Sequence, residues 1–446
     1  MLHSKCRCGQ AKILYGKDAD MIWKFIFENF KSFEKTELDI YQLTTLIGTN
    51  ASGKSNAVEG IKILSMLVSG LELSVILDGT QNVESQIRGG SQGSKRFRTS
   101  AFKLGCRMAF DDGNNDLLYE VKIGVNGRVA IEEEGLYLIK HENPDSRDNR
   151  IFKTKPANKD SSEIKVEYRN GKRGKNPDII CSRSAAVISQ IVNRVPRDND
   201  ADEQYVAYIE KVISVLKRII VLNPDTVLMR HYSRINDVDL RSNCENISAV
   251  LLDICKDTDK KNKVLSFIKR LPENEIEDIS FVKTKIGDVI FALKERYLNS
   301  TELVDAKKLS DGTLRCIAVI ASMLSAKQDS LVVVEEIDNG VHPARVMELL
   351  NVICEMAQNN NSDIVITTHN AGMLDRYKKD EIAGVSVVYR DNEKGTSKIT
   401  SILKIDKLPE MILNGGVGTA MTDQELLKNI KNSDIVKDLS WMGVSI

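Results

Sequence analysis

The stretch Gly48-Thr49-Asn50-Ala51-Ser52-Gly53-Lys54-Ser55, followed by Asn56, decides the fold of this chain. It fits the pattern Gly-x4-Gly-Lys-Ser/Thr without a mismatch, and it lies between an apolar segment and a helical pattern from Lys54 to about Val68. Glycines let such a loop curl, so that backbone N–H groups point at phosphate oxygens. We therefore expect residues 48–56 to bind ATP, with Lys54 on the phosphates and Ser55 as a ligand of Mg²⁺.

A second pattern is a short apolar run that ends in two acids, Glu335 and Glu336, after Leu331–Val334. Ligands of open α/β sheets bind at the carboxyl ends of the strands, where such side chains emerge. Glu335 would hold Mg²⁺ through water, and Glu336 would act as the general base on the attacking water. Taken alone, an apolar strand that ends in two glutamates is more often a solvated strand end.

Two further segments frame this strand. Ser310, Asp311 and Gly312 stand at the predicted start of a helix, which offers N–H groups, a hydroxyl and a positive dipole end to an anion. The plainer alternative is that Ser310 only caps that helix, and both can hold. His369 ends the next predicted strand, where it could contact a γ-phosphate. A single histidine is more often a structural hydrogen-bonding group, but its order after the other motifs favours a role at the phosphates.

In this order the motifs resemble those of the ABC-class ATPases. The long insertion between the loop and Ser310 differs from transporter subunits and is similar to the branch that includes SMC, RecF and the ATPase half of OLD nucleases. The segments 27–33, 48–56 and 335–343 more closely resemble AAA family ATPases of prokaryotic anti-phage defence operons. Glu335 stands where ABC proteins usually have Asp, and Ile337 and Asp338 where many relatives have Pro and Glu. The glutamine that contacts the γ-phosphate in the family is open between Gln86 and Gln92.

The resemblance implies an α/β fold. This is an ABC-type ATPase head, a mixed β sheet with flanking helices plus an antiparallel β lobe, interrupted by a mostly helical insertion. It also implies that two heads close on two ATP molecules, each between the phosphate loop of one head and Ser310, Asp311 and Gly312 of the other. Lys54, Glu336 and His369 would be the catalytic residues, and ATP and Mg²⁺ the substrate and cofactor.

The predicted organisation divides the chain at three places. Residues 1–20 are an N-terminal extension and 21–140 the first part of the head, in which Asp-Gly and Asn-Gly turns indicate a β meander. Residues 141–300 are a polar hairpin and then a helical insertion, and residues 301–446 complete the head and add a tail. The predicted strands are Met21–Phe27, Leu38–Ile47, Ala101–Phe110, Leu117–Val125, Arg128–Ile139, Leu331–Val334, Asp363–Thr367 and Val385–Tyr389.

Composition narrows the list of partners. The chain has 63 basic and 63 acidic residues, so it has no chain-wide basic excess for nucleic acid. Residues 85–110 hold six basic side chains and no acidic one, which is either a nucleic-acid contact or a solvated face. No membrane-spanning stretch or secretory signal is visible, and eight irregularly spaced cysteines indicate a reduced, cytoplasmic protein. His3, Cys6 and Cys8 are too few for a structural zinc, which favours a ragged extension.

The sequence shows no second active site. Only 77 residues follow His369, without the acidic cluster of a Toprim nuclease, and none of the five histidines has the arginine spacing of a HEPN ribonuclease. We therefore expect an ATP-gated dimeric switch or sensor that controls a separate effector, a nuclease or toxin, in anti-phage defence. The alternatives are a RecF-like DNA-repair ATPase that binds DNA directly, or an ATP-dependent assembly scaffold with negligible turnover.

Overall fold

One long sheet passes through most of the chain in the computed structural model. The structure describes residues 21–404 apart from 81–82, 86, 111–114, 173, 198–199, 271–274, 298–299 and 392–393. The predicted extension 1–20, the tail beyond residue 404 and Gln86 therefore lie outside the described residues. No helix of the described part is long and apolar enough to cross a membrane.

The strands are numbered in chain order: β1 Ile22–Phe30, β2 Phe33–Asp39, β3 Leu43–Ile47, β4 Gly79–Thr80, β5 Val83–Glu84, β6 Ala101–Phe110, β7 Asn115–Gly124, β8 Ala130–Lys140, β9 Arg150–Thr154, β10 Glu163–Tyr168, β11 Asp178–Ser182, β12 Ile219–Leu222, β13 Ser233–Arg234, β14 Glu275–Lys283, β15 Asp288–Tyr297, β16 Ser300–Asp305, β17 Leu331–Val334, β18 Asp363–Thr368, β19 Val385–Asp391 and β20 Thr396–Ser401.

The α-helices are α1 Lys54–Leu67, α2 Leu73–Asp78, α3 Gly90–Ser94, α4 Val187–Ile191, α5 Asp200–Lys217, α6 Ile247–Ile254, α7 Thr258–Ile268, α8 Asp311–Ser325, α9 Pro343–Asn359 and α10 Lys379–Ile382.

The long sheet has the order β11-β10-β9-β8-β7-β6-β1-β2-β20-β19-β3-β18-β17-β12. Strands β19, β3, β18, β17 and β12 pair in parallel, and β3, β17 and β18 are buried along their whole length, as is typical of strands covered on both faces. The strands from β11 to β2 pair antiparallel. The predicted architecture, a mixed sheet with flanking helices and an antiparallel lobe, is confirmed.

Two local predictions need correction. The segment 38–47 is not one strand, because the chain turns at Tyr41, whose N–H donates to Thr44 Oγ1 at 2.9 Å, and β20 and β19 lie between β2 and β3. The insertion is less uniformly helical than its sequence pattern indicated. It also contains β12 and a second sheet of β13, β14, β15 and β16, since β14 and β15 bury apolar side chains against α6 and α7.

Strands β9, β10 and β11 continue the same sheet beyond residue 140. The division of the chain at 140/141 stays a prediction.

Helix α1 positions the phosphate loop by packing on the first strands. Its apolar residues join the core cluster that contains the phenylalanines of β1 and β2. A Cβ built on Gly60 would lie 2.5 Å from the Phe27 ring, so helix and strand are in close contact there. A second core cluster joins α8 and α9 to the parallel strands. Since β3, β17 and β18 are parallel, the segments that follow them emerge at one edge of the sheet.

Candidate nucleotide site

The phosphate loop joins β3 to α1 through strained backbone that the glycines make possible. Ala51 and Gly53 have positive φ angles of 62° and 118°. A Cβ built on Gly48 would lie 2.1 Å from the Val388 carbonyl oxygen, so only glycine fits there. The sequence pattern and the local geometry therefore require the same residue types.

Lys54 lies inside this loop. Its Nζ donates to the carbonyl oxygens of Gly48 at 2.6 Å and Thr49 at 3.0 Å, and the residue is 8% exposed. Burial lowers the pKa of Lys54, while the negative charges of Glu336 and Asp338 act in the opposite direction. The lysine is thus a partly desolvated cation close to both carboxylates.

Two neighbours of Lys54 differ in what they contact. Ser52 is buried, and its Oγ has no hydrogen-bond partner within the described residues, which is unusual for a buried hydroxyl. Asn56 instead donates through Nδ2 to Ser32 Oγ at 2.7 Å, which ties the start of α1 to the turn between β1 and β2. Thr49, Asn50 and Ala51 are exposed at the loop surface.

The structure brings the two predicted metal ligands together. The Ser55 hydroxyl and the Glu335 carboxylate form a hydrogen bond, and Glu335 N–H donates to the Leu222 carbonyl of β12 at 3.0 Å. Burial raises the pKa of Glu335, and the bond with Ser55 opposes that shift. No group of three or more His, Cys, Asp or Glu side chains that could hold a metal occurs among the described residues. A Mg²⁺ ion would therefore take most of its oxygens from phosphates and water, as this ion commonly does.

Glu336 is held in an unusual backbone conformation. Its φ is 47°, in the left-handed region that residues other than glycine rarely adopt. Its N–H donates to Thr367 Oγ1 at 2.8 Å, and its Oε2 accepts from Asn339 Nδ2 at 3.0 Å. Thr367 belongs to β18, so the neighbouring strand sets the direction of the Glu336 side chain.

His369 lies beside the turn that follows Glu336. Its Nδ1 is 3.8 Å from Asp338 Oδ2, and its side chain is 53% exposed. The Asp338 side chain is only 5% exposed, and its Oδ1 has no hydrogen-bond partner within the described residues. Asp338 therefore belongs to this site, although its sequence position stood out only as a departure from related proteins.

The Ser310 segment is bonded to the start of its own helix and to the insertion. Ser310 caps α8 by accepting from Thr313 N–H at 3.2 Å. Arg230 of the insertion donates to the Leu309 carbonyl at 2.8 Å and to Asp311 Oδ1 at 2.7 Å.

Gly312 packs against the turn after Glu336, where a Cβ would lie 2.8 Å from the Gly340 carbonyl. In the described part of the chain, the side-chain hydrogen bonds of Ser310 and Asp311 reach Thr313, Arg230 and Thr226, and none reaches residues 48–56.

An ion-pair network next to the site has only a weak sequence signal. Glu59 lies one turn after Ser55 on α1 and is 6% exposed. It forms an ion pair with Lys31 Nζ and accepts a hydrogen bond from Arg88 Nε. Burial lowers the pKa of Arg88, but the bond to Glu59 and the charges of Glu335 and Glu336 raise it above its ordinary value. Only the spacing of four between Ser55 and Glu59, which places both on one helix face, could have predicted part of this cluster.

Gln92, one of the two glutamines considered for the γ-phosphate, donates through Nε2 to the Val125 carbonyl at 2.6 Å. That bond ties α3 to the turn between β7 and β8, so Gln92 has a structural partner.

A phosphate loop on a mixed α/β sheet, with acids at the end of the neighbouring strand, defines the class of P-loop ATPases. Comparison with known proteins agrees: the family model described as AAA domain, putative AbiEii toxin, Type IV TA system matches residues 43–375. The chain belongs to this family. The predictions of a P-loop ATPase of the AAA family and of an ATP-hydrolysing enzyme are confirmed.

Individual relatives are more distant. An "ATP/GTP phosphatase" of Helicobacter pylori is 21% identical over 366 residues, which are 80% of this chain and 87% of that protein. Among solved structures, the SMC head domain from Thermotoga maritima is 12% identical with a TM-score of 0.39, and covers 86% of this chain and 99% of its own. The recombination mediator protein RecF is 12% identical with a TM-score of 0.36 and the same coverage.

Proposed function

We propose that this ATPase is an ATP-gated switch that closes as a dimer and controls a separate effector. One observation carries the proposal: the phosphate loop, Glu335, Glu336 and His369 gather at one sheet edge, whereas Ser310 and Asp311 make their side-chain bonds elsewhere. A site that uses all of these groups would need the Ser310 segment of a second copy. ATP would then join two heads, and hydrolysis would release them.

The residues present fit a nucleotide with Mg²⁺. Ser52 Oγ is buried and has no hydrogen-bond partner among the described residues, and Lys54 is desolvated. With the contact between Ser55 and Glu335 they make up a set of groups suited to phosphates and a hard cation. Lys54 would bind the phosphates, and Ser55 and Glu335 would hold Mg²⁺. The ion would neutralise phosphate charge when bound.

Glu336 is the base in this proposal. Its backbone N–H is held by Thr367, and its carboxylate accepts from Asn339. That carboxylate would accept the proton of the attacking water. Asp338 next to His369 would orient the imidazole toward the phosphates. Ser310 and the first N–H groups of α8 would contribute donors across the dimer.

The effector part of the proposal is supported by the family description, which names a putative toxin and a toxin–antitoxin system. The six cysteines of the described part are free thiols, which fits the proposed cytoplasmic location.

Two substitutions test the dimeric switch. Glu336→Gln should still bind ATP, lose phosphate release and accumulate as a dimer with ATP in size-exclusion chromatography with light scattering. Ser310→Arg should abolish hydrolysis while a single copy binds a fluorescent ATP analogue with the affinity of the unaltered protein. Ser266→Arg, at an exposed serine of α7, is the matched control and should change neither property. Unchanged turnover in Glu336→Gln, or lost nucleotide binding in Ser310→Arg, would contradict the proposal.

A RecF-like ATPase that binds DNA directly is the second candidate, because a basic surface turn with exposed Phe97 and Arg98 occurs at residues 95–98. Purification of the native complex with and without ATP separates the two. A nuclease or toxin that co-purifies supports the effector switch, and nucleic acid without a protein partner supports the second candidate. Negligible ATP turnover in both preparations would favour the third alternative, an ATP-dependent assembly scaffold.

A further inference from the structure

The turn at residues 95–98, between α3 and β6, presents the most exposed large apolar side chain of the described chain. Phe97 is 81% exposed, and the turn reads Lys95-Arg96-Phe97-Arg98. Single exposed apolar residues are common on protein surfaces. An aromatic ring set between three cations in four consecutive residues is a more specific arrangement.

Backbone hydrogen bonds hold this turn against the head. Arg96 N–H donates to the Asn29 carbonyl at 2.7 Å, and Lys31 N–H donates to the Ser94 carbonyl at 2.9 Å. Within the turn, Thr99 donates to the Arg96 carbonyl through both its N–H at 3.1 Å and its Oγ1 at 2.7 Å. The Phe97 ring is therefore presented by an ordered turn that is bonded to the end of β1 and to the β1–β2 turn.

Within the basic segment 85–110, the cations that stay available for a ligand are those of this turn. Three of the segment's six cations are engaged elsewhere: Arg88 with Glu59, Lys103 with Glu28 and Glu120, and Arg107 with the Pro144 carbonyl.

The remaining cations are those of the turn. Arg96 is 3.5 Å from Glu34, whose side chain is 54% exposed, and such a surface pair contributes little. The Arg98 guanidinium lies 5.4 Å from the Phe97 ring centroid.

We propose that the turn 95–98 binds single-stranded nucleic acid, with an unpaired base stacked on Phe97 and phosphates bound by Lys95, Arg96 and Arg98. Positive charge selects a polyanion, and an exposed ring gives a stacking surface that every base can use. One aromatic side chain is a small apolar area for a protein partner, whereas it matches the face of one base. Paired bases of a duplex do not present that face.

The inference is independent of the effector proposal, because it concerns binding by the chain alone. Its failure would leave the Glu336→Gln and Ser310→Arg tests unaffected.

Fluorescence anisotropy with the full chain tests the role of the ring. The probes are a labelled oligodeoxythymidine and an abasic oligonucleotide of equal length, which has the same phosphates but no bases. The unaltered chain should bind the base-bearing strand more tightly, and Phe97→Ala should weaken that binding roughly 5- to 100-fold while hardly changing the abasic one. Phe97→Tyr should retain the preference. Ile286→Ala removes an apolar side chain that is 75% exposed on another surface, and it should have no effect.

A second variant tests the charges. Arg98→Ala should weaken binding of both strands and reduce the slope of log affinity against log salt by about one. An oligouridine arm shows whether DNA, RNA or both are bound, and binding of either supports the proposal.

Unaltered ATPase activity without nucleic acid, together with an unaltered melting temperature, verifies the fold of each variant. Equal binding of base-bearing and abasic strands by the unaltered chain, or full affinity in Phe97→Ala, would overturn the proposal. So would a Phe97→Ala variant that loses ATP-dependent dimerisation but keeps its oligonucleotide affinity.

Discussion

The bond between Glu336 N–H and Thr367 Oγ1 offers a sharp test of how the site is built. The bond is 2.8 Å long, Thr367 is 1% exposed, and the Glu336 backbone is in the left-handed region with a φ of 47°. Thr367→Val keeps the shape of the side chain but removes the acceptor. Water cannot easily replace the lost hydroxyl at a position this deeply buried.

The expected magnitude follows from two contributions. A buried N–H left without an acceptor costs about 1–3 kcal/mol. A left-handed residue other than glycine costs roughly 1–3 kcal/mol and persists only where its surroundings hold it. Loss of the bond therefore favours relaxation of the Glu336 backbone, which displaces the carboxylate. We expect kcat for ATP hydrolysis to fall about 5- to 100-fold, because each ~1.4 kcal/mol of barrier is a factor of ten.

Steady-state phosphate release, nucleotide affinity and urea unfolding should be measured together. The Kd for ATP should change little, because the contacts of Lys54 do not involve Thr367. Thr367→Ser keeps the hydroxyl and should retain most of the activity. Thr45→Val is the matched control, because the hydroxyl of this buried threonine of β3 bonds with the Tyr377 hydroxyl at 2.9 Å. The variant should lose stability without losing kcat.

A Thr367→Val variant that is destabilised like Thr45→Val, yet turns over ATP at the unaltered rate, would refute the reasoning. The direction of the Glu336 carboxylate would then not depend on β18.

Three further results are expected. Gly48→Ala would place a Cβ 2.1 Å from the Val388 carbonyl oxygen, so calorimetry should show ATP binding weakened about 5- to 100-fold, and an unchanged Kd would contradict this. Arg230→Ala should lower kcat much more than ATP affinity, with partial recovery in Arg230→Lys, because Arg230 holds the Leu309 carbonyl; equal losses in both parameters would argue against it. Burial raises the pKa of Glu134 from 4.5 to about 7, so its contribution to stability is complete below the lower value and is lost as the pH rises through the upper one. Glu134→Gln should flatten that part of the pH dependence of unfolding, and an unaltered curve would exclude Glu134 as its source.

The parts of the fold and of the site that the sequence predicts are those that depend on residues close together in the chain. The phosphate loop, the run Leu331–Val334 and the meander strands depend on neighbours in the chain, through turn chemistry, strand ends and glycine conformations. Helix α8 is likewise predicted from the cap at Ser310, and the structure has that cap.

What the sequence does not predict depends on contacts between distant segments. Glu59 meets Arg88 and Lys31 only after the segment between β5 and α3 and the β1–β2 turn have been brought to α1. Arg230 reaches Asp311 across the insertion. The strands β14 and β15 lie in a region whose sequence pattern indicated helices, and their pairing with each other makes them strands.

Strand β12 has a practical consequence for shortening this protein. It comes from the insertion, yet it pairs with β17 along Ile219–Leu222, and its last carbonyl accepts the N–H of Glu335. A minimal head made by fusing residue 140 to residue 301 would leave β17 as a bare edge, with unpaired backbone groups that recruit other chains. Such a fusion should aggregate, and a trimmed version should retain residues 219–222 as its outer strand.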